Sequence, residues 1–258
     1  MALSTDYKIT WCPGCPDFII KKAIEKAVQE LITKGYKQED FVMVTDIGCN
    51  SKIYDYLNLS GFYGLHGRTI PAALGVKIGN PKLTVIGIAG DGGTLNEGLD
   101  HFIHACRYNT DITFLLFNNQ VFSLTTGQAT ATTEEGFMEK THPSGVKEKP
   151  LNPVVLALEA GATFVARTSS LDLGGMSQII QEAIVHKGFS FVDIIQPCIV
   201  YHDTSDFLRK NCYKIEPMDL PKAIEEARKW DYAPQGKIPM GIFYQVKEET
   251  FEEKNGLK

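Results

Sequence analysis

LTVIGIAGDGGTLNEG, residues 83–98, sets an unbroken apolar run directly before a glycine turn and the start of a helical pattern. A strand with no polar alternation is buried on both faces, and such strands belong to parallel sheets covered by helices. Working outward, FVMVTDIG (41–48), ITFLLFNN (112–119) and FSFVDIIQP (189–197) repeat the strand pattern. Helical stretches stand around them: PDFIIKKAIEKAVQELITKG (16–35), TIPAALGVKIG (69–79), TLNEGLDHFIHACRYN (94–109), LGGMSQIIQEAIVHKG (173–188) and LPKAIEEARKW (220–230). The alternation predicts an α/β fold, a doubly wound, mostly parallel sheet with helices on both faces, as a single domain over 1–258.

In the first helix Pro16 takes an allowed N-terminal place, Gly35 marks the stop, and Ile19, Ala23, Ala27 and Leu31 are expected on one face. Over 94–109, Leu95, Leu99, Phe102, Ile103 and Cys106 fall at helical spacing, which predicts one helix with Cys106 in the core. The stretch from about 120 to about 152 has no clear period. A loop of that length in a compact domain is usually functional, here a cofactor wrap, a lid or an interface with another chain.

With 43% hydrophobic and 22% charged residues the chain reads as globular, and a net charge of −5 gives no electrostatic basis for nucleic-acid binding. MALSTDYKITW lacks the basic-then-apolar run of a signal peptide, and no apolar stretch reaches membrane-spanning length. The expectation is a cytoplasmic protein with no membrane contact. In a reducing compartment Cys12, Cys15, Cys49, Cys106, Cys198 and Cys212 point to metal or redox work rather than to disulfides.

The turn Gly90-Asp91-Gly92-Gly93 sits where open α/β sheets bind ligands, beyond the carboxyl end of a strand and at the start of a helix. Its glycines let backbone N–H groups come close to anionic oxygens. Leu95 rules out the dinucleotide fingerprint, and the lack of a following Gly-Lys-Ser/Thr rules out a Walker loop. A carboxylate beside a phosphate is repulsive unless a cation lies between them, and Mg²⁺ takes one or two carboxylates together with phosphate oxygens. Asn118-Asn119 ends the next strand and offers neutral oxygens, so a Mg²⁺–diphosphate clamp between Asp91 and an asparagine is one reading. The other is that Asp91 caps a helix and the asparagines shape a turn.

WCPGC, residues 11–15, is open three ways: redox dithiol, zinc clip or part of an iron–sulfur site. The ten residues before Trp11 cannot hold the βα unit that a thioredoxin-like fold places ahead of its C-x-x-C. Glu97, His101 and His104 lie near one side of a helix but have polar neighbours and no further ligand, so a solvated or interface face is expected there.

GDG, a helix, a strand and then NN resembles the thiamine diphosphate motif. VFSLTTGQATATT behind it, with WCPGC, IGCNSK, LHGRTIPAALGVK, HFIHACRYN, FSFVDIIQPC and GIFYQ, resembles the β subunit of 2-oxoacid:ferredoxin oxidoreductases over nearly the whole chain. The resemblance implies a thiamine diphosphate-binding fold and three cofactors: thiamine diphosphate, Mg²⁺ and a [4Fe–4S] cluster. It implies Mg²⁺ ligands at Asp91, Asn119 and Val121, the last through its carbonyl, and a diphosphate cradle at Gly90, Gly92 and Gly93. Gly48, Cys49, Asn50, His66, Gly67 and Leu124 are the further implied cofactor contacts, and Leu124 and Thr126 are placed to shape the substrate pocket. Thr94 departs from the apolar residue expected after this turn. Cys12, Cys15, Cys49 and Cys198 are the implied cluster ligands; zinc on the same four thiolates stays open. Cys212 has no named partner.

Lys52 is placed to hold a substrate carboxylate, and His66, with Arg68, to make a polar contact to thiamine or substrate; Lys52 and His66 are the implied catalytic residues. The implied reaction is CoA-dependent oxidative decarboxylation of a 2-oxoacid to acyl-CoA and CO₂, with electrons passed to ferredoxin. The family takes its activating glutamate from a partner chain, and no candidate stands in this sequence. The expected partners are therefore an α or fused α/γ subunit, ferredoxin, the 2-oxoacid and coenzyme A. The short stretch after GIFYQ leads us to expect a compact β subunit without a C-terminal extension. The rival reading is a non-redox thiamine decarboxylase or carboligase with structural zinc. A regulatory subunit with a dead site is disfavoured by the intact Asp91, Asn119 and four cysteines.

Overall fold

In the computed structural model, which describes residues 2–257, the apolar runs become strands β1 (Phe41–Thr45), β3 (Thr84–Gly90), β4 (Thr113–Asn118), β7 (Phe164–Ser169) and β8 (Ser190–Ile195). Three further strands complete the sheet: β2 (Ser60–Tyr63), β9 (Cys212–Lys214) and β10 (Ile238–Gln245). The order is β2-β1-β3-β4-β8-β7-β10-β9. Every neighbouring pair is parallel except β10 against β7.

Alternate residues of the buried strands feed two cores. Met43, Ile86, Ile88, Leu115 and Val192 face α1 (Asp17–Thr33) and α7 (Leu173–Val185). Val44, Val85, Phe114, Leu116 and Phe191 face α3 (Thr69–Gly79), α5 (Leu99–Tyr108), α6 (Pro153–Glu159) and α9 (Leu220–Ala227). Phe102 of α5 meets Phe191 edge-on at 4.9 Å between ring centroids, and Cys106 is buried beside it as expected. Short helices α2 (Ile53–Tyr56), α4 (Asp91–Asn96), α8 (Ser205–Asn211) and α10 (Phe251–Lys254) finish the chain. Among the described residues no helix is long and apolar enough to cross a membrane.

Two sequence expectations need correction. Ile19 is 40% exposed, and Ile20 and Ile24 join Ala23, Ala27 and Leu31 in the core. A strict four-residue repeat drifts about 40° per step on a 3.6-residue helix, so Ile19 has rotated well off the stripe that Leu31 occupies. The helix expected over 94–109 is broken into α4 and α5 at Glu97–Gly98. There the chain crosses Gly67 so closely that a Cβ on Gly98 would lie 2.6 Å from the Gly67 carbonyl oxygen. The stretch after Asn119 opens with a small antiparallel hairpin, β5 (Val121–Phe122) and β6 (Gln128–Ala129), and then runs without regular structure to α6.

Candidate active site

Four adjacent strands, β1, β3, β4 and β8, end on the same side of the sheet because all are parallel. Their tips deliver Asp46–Asn50, Gly90–Asp91, Asn118–Val121 and Gln196–Cys198 to one place. Two cavities open there. The smaller, about 60 Å³, is lined by Gly48, Cys49, Asn50, His66, Gly90, Asp91, Gly92, Gly93, Asn119, Val121 and Leu124. The larger, about 200 Å³, is lined by Cys12, Cys15, Cys49 and Cys198 with Lys52, Asp17, Gln196 and Leu124. Cys49, Asn119, Ser123 and Leu124 belong to both, so the two cavities share a wall.

In the smaller cavity Asp91 opens α4 and is 2% exposed, with Oδ2 accepting from Thr130 Oγ1 at 2.5 Å and Thr132 Oγ1 at 2.7 Å. Burial pushes its carboxyl up to about 6, and no cationic side chain among the described residues pairs with it. A buried acid with no counter-charge, set in a glycine cradle, fits a hard cation bound between the protein and an anion. The cradle has no room for side chains: a Cβ on Gly92 would sit 2.2 Å from the Phe122 ring, and one on Gly93 2.1 Å from Asp46 Oδ2. Asn119 faces the same cavity, its Oδ1 accepting from Val121 N at 3.1 Å and its Nδ2 donating to Ser123 Oγ at 3.2 Å. Thr94, the departure from the expected apolar residue, is buried with an unpartnered hydroxyl.

Around the larger cavity, the Cys12–Cys15 turn closes with Cys15 N donating to the Cys12 carbonyl at 3.0 Å, with Gly14 at φ +81°. Trp11 Nε1 donates to the Cys49 carbonyl at 2.6 Å and ties this turn to the tip of β1. Burial pushes the Cys15 and Cys49 thiols up, and it raises Asp17, beside Cys15, to about 6. All six cysteines are free, and among the described residues no three Cys, His, Asp or Glu side chains converge on a single-ion site. The four sulfur-bearing residues surround a cavity rather than a point. Cys212 is remote from it, packed on Trp230, Tyr232 and Ile238.

Lys52 lines the cysteine cavity and His66 the smaller one, with His66 Nδ1 3.8 Å from Glu97 Oε1, too long for a hydrogen bond. Gly67 is not on either wall: its left-handed φ of +65° and its crossing with Glu97–Gly98 give it a backbone role. Arg68 donates to the Glu97 carbonyl at 2.9 Å, bracing that crossing instead of facing a cavity. Among the described residues Glu97, His101 and His104 do not form a metal site.

Residues that pattern reading missed are Asp46, Thr130, Thr132, Asp17 and Gln196. Asp46 is fully buried, raised to about 7 by burial, and held on Oδ1 by Ser51 Oγ at 2.7 Å and Asn50 Nδ2 at 3.2 Å. The one signal in the sequence was the density of threonines in TTGQATATT, residues 125–133.

Residues 46–194 match the model of the thiamine pyrophosphate enzyme C-terminal TPP binding domain, and residues 198–257 that of the C-terminal part of the pyruvate ferredoxin oxidoreductase β subunit. The chain is 39% identical over 254 residues to the 2-oxoacid:ferredoxin oxidoreductase subunit beta of Saccharolobus solfataricus, covering 91% of this chain and 81% of that one. It is 35% identical over 248 residues to the 2-oxoglutarate synthase subunit KorB of Archaeoglobus fulgidus, covering 95% and 87%. In three dimensions it resembles a 2-oxoglutarate:ferredoxin oxidoreductase from Magnetococcus marinus, solved with 2-oxoglutarate, coenzyme A and succinyl-CoA bound. The TM-score is 0.93 at 31% identity, over 98% of this chain and 87% of the other.

Proposed function

The chain belongs to the β-subunit family of 2-oxoacid:ferredoxin oxidoreductases, and from that membership we propose what its two cavities do. The reaction is CoA-dependent oxidative decarboxylation of a 2-oxoacid to acyl-CoA and CO₂, with ferredoxin as electron acceptor. Bound thiamine diphosphate supplies the electron sink that loss of CO₂ requires, and a [4Fe–4S] cluster a one-electron path. Asp91 and Asn119 hold Mg²⁺ by side chain and Val121 by its carbonyl. Gly90, Gly92 and Gly93 present N–H groups to the diphosphate, and Thr130 and Thr132 fix the Asp91 carboxylate. Gly48, Asn50, His66 and Leu124 face the rest of the cofactor, and Gly67 gives the His66 turn its close backbone crossing. Lys52 offers a cation to the substrate carboxylate.

Cys12, Cys15, Cys49 and Cys198 are the cluster ligands in this reading. The observation that carries it is the shared wall: cysteines from the N-terminal turn and two strand tips surround a cavity that Cys49 joins to the diphosphate cradle. Zinc would need its thiolates about 2.3 Å from one point, and a cavity of about 200 Å³ with four cysteines among its lining residues suits a cubane better. The chain needs an α-type partner, separate or fused to a γ part, to supply the activating carboxylate, and it works in the cytoplasm.

The test is the complex co-expressed with its partner subunits and purified without oxygen, with iron, sulfide, zinc and thiamine diphosphate counted per chain. Four irons at this chain with one thiamine diphosphate, and an EPR signal after dithionite, are expected. Zinc in place of iron would move the function to non-redox thiamine chemistry.

A further inference from the structure

Gln120 and Tyr232 both hold left-handed backbone, at φ +61° and +59°, and Gln120 Nε2 donates to the Tyr232 carbonyl at 3.3 Å. Left-handed backbone in such residues is strained and persists only where the surroundings over-determine it. Gln120 is the middle of the turn that carries Asn119 and Val121. Its Nε2 also donates to the Thr132 carbonyl at 2.9 Å, and its own carbonyl accepts from Thr133 Oγ1.

The Tyr232 hydroxyl donates to Asp193 Oδ2 and accepts from Arg167 Nη2 at 3.0 Å. Asp193 Oδ2 also accepts from Arg167 Nε at 2.9 Å, while its Oδ1 accepts from Asn118 Nδ2 at 3.1 Å. Thr132 Oγ1 lies 3.0 Å from Asn118 Oδ1 and 2.7 Å from Asp91 Oδ2, so its single proton is shared between these two acceptors. With Asp193 accepting from Arg167 and Tyr232, Asn118 turns its amide N–H to Asp193 and its carbonyl to Thr132. All of these side chains are buried, so water cannot replace a lost partner.

We infer that Tyr232 and Asp193 are positioning residues for the cation-holding turn. The Tyr232 hydroxyl, held by Asp193 and Arg167, anchors the left-handed residue whose carbonyl takes the Gln120 amide, and Asp193 orients Asn118 and with it the Thr132 hydroxyl beside Asp91. The inference rests on the reading of Asp91 as the cation ligand. It deepens that reading by placing the determinants of cation affinity on β8 and on the chain before β10.

The experiment uses the complex with its partner subunits, comparing wild type with Tyr232→Phe, Thr132→Val and Thr132→Ser. Thiamine diphosphate binding is followed by calorimetry while Mg²⁺ is titrated and again in EDTA, with thermal unfolding measured alongside. Tyr232→Phe and Thr132→Val should each raise the half-saturating Mg²⁺ concentration about tenfold, and Thr132→Ser should restore it. Binding in EDTA should be the same in all four. Unchanged Mg²⁺ dependence in both variants overturns the inference, as does a Thr132→Ser as weak as Thr132→Val, or equal weakening in EDTA. A wild type whose cofactor binding ignores Mg²⁺ overturns the site reading itself, and the inference with it.

Discussion

Phe122 occupies the space that any side chain on Gly92 would need: a Cβ built there lies 2.2 Å from its ring. Gly92 is in the first turn of α4, and Phe122 is in β5, directly after the turn that presents Asn119 and Val121. Gly92→Ala should therefore push β5 away from α4 and open the turn at Asn119–Val121 that we propose holds the cation. We expect thiamine diphosphate affinity to fall by about tenfold or more, the effect of a small distortion at a bound group. Gly92→Ala/Phe122→Leu should recover part of it. Wild-type affinity in Gly92→Ala alone, read by calorimetry, would show that the contact relaxes freely.

Cofactor binding should weaken in acid. Burial raises Asp91 from 3.8 to about 6, so the cation-free fold keeps a proton that the unfolded chain has already lost. The stability of the cation-free chain thus declines as pH rises through that window, and Mg²⁺, which needs the carboxylate, gains. Affinity for Mg²⁺ and thiamine diphosphate should climb about tenfold per pH unit below about pH 6 and level off above it. A flat profile from about pH 5 to about pH 8, measured by titration at fixed Mg²⁺, would remove Asp91 from the cation site.

The sheet was legible because its central strands are buried on both faces and are mostly apolar, with no alternation of polar residues to blur the pattern. Edge strands such as β2, whose four residues are all exposed, leave no such trace. The glycine turn, Cys49 and Cys198 stand out because each follows a strand-like run, and Cys12 and Cys15 because of their C-x-x-C spacing. Thr130 and Thr132 do not, since their hydroxyls reach Asp91 from 39 and 41 positions away, through a loop with no period. The same holds for Asp193: within FSFVDIIQP it looks like a break in an apolar run, and only the fold brings Arg167 and Asn118 to it.

Thr126 has φ +81° and a side chain branched at Cβ, a combination that is rare because the Cβ crowds the backbone. Its N–H bonds the Ser123 carbonyl at 3.2 Å. Thr126→Gly should stabilise the chain by about 1 kcal/mol, seen as a rise in melting temperature. A fall would mean that the threonine side chain holds the loop tip over the cavities.

Removing one partner of the Arg167–Asp193 pair should be among the most damaging changes. Both side chains are fully buried, and Arg167 stacks within 5.1 Å of the Trp230 ring centre and 5.2 Å of that of Tyr232. Asp193→Ala leaves a guanidinium without its counter-charge in an apolar cage, a loss of about 3–5 kcal/mol by precedent for buried pairs. Urea unfolding at neutral pH measures it, and a loss under about 1 kcal/mol would mean that water enters the cage.

The cysteine site makes a last prediction that does not depend on turnover. Burial is the largest cause raising Cys15 and Cys49, and the nearby Asp17 charge adds to it for both. Without metal these two remain thiols at neutral pH, and a thiol is a poor nucleophile. Iodoacetamide should therefore modify them slowly in the metal-free chain, and faster as pH rises, followed by mass spectrometry of peptides. Metal binding needs thiolates, so loading should release protons and then block alkylation of Cys12, Cys15, Cys49 and Cys198 together. Cys212, outside the cavity, should keep the same rate with and without metal. Protection of only Cys12 and Cys15 would break the four-ligand assignment and leave a two-cysteine site at the N-terminal turn.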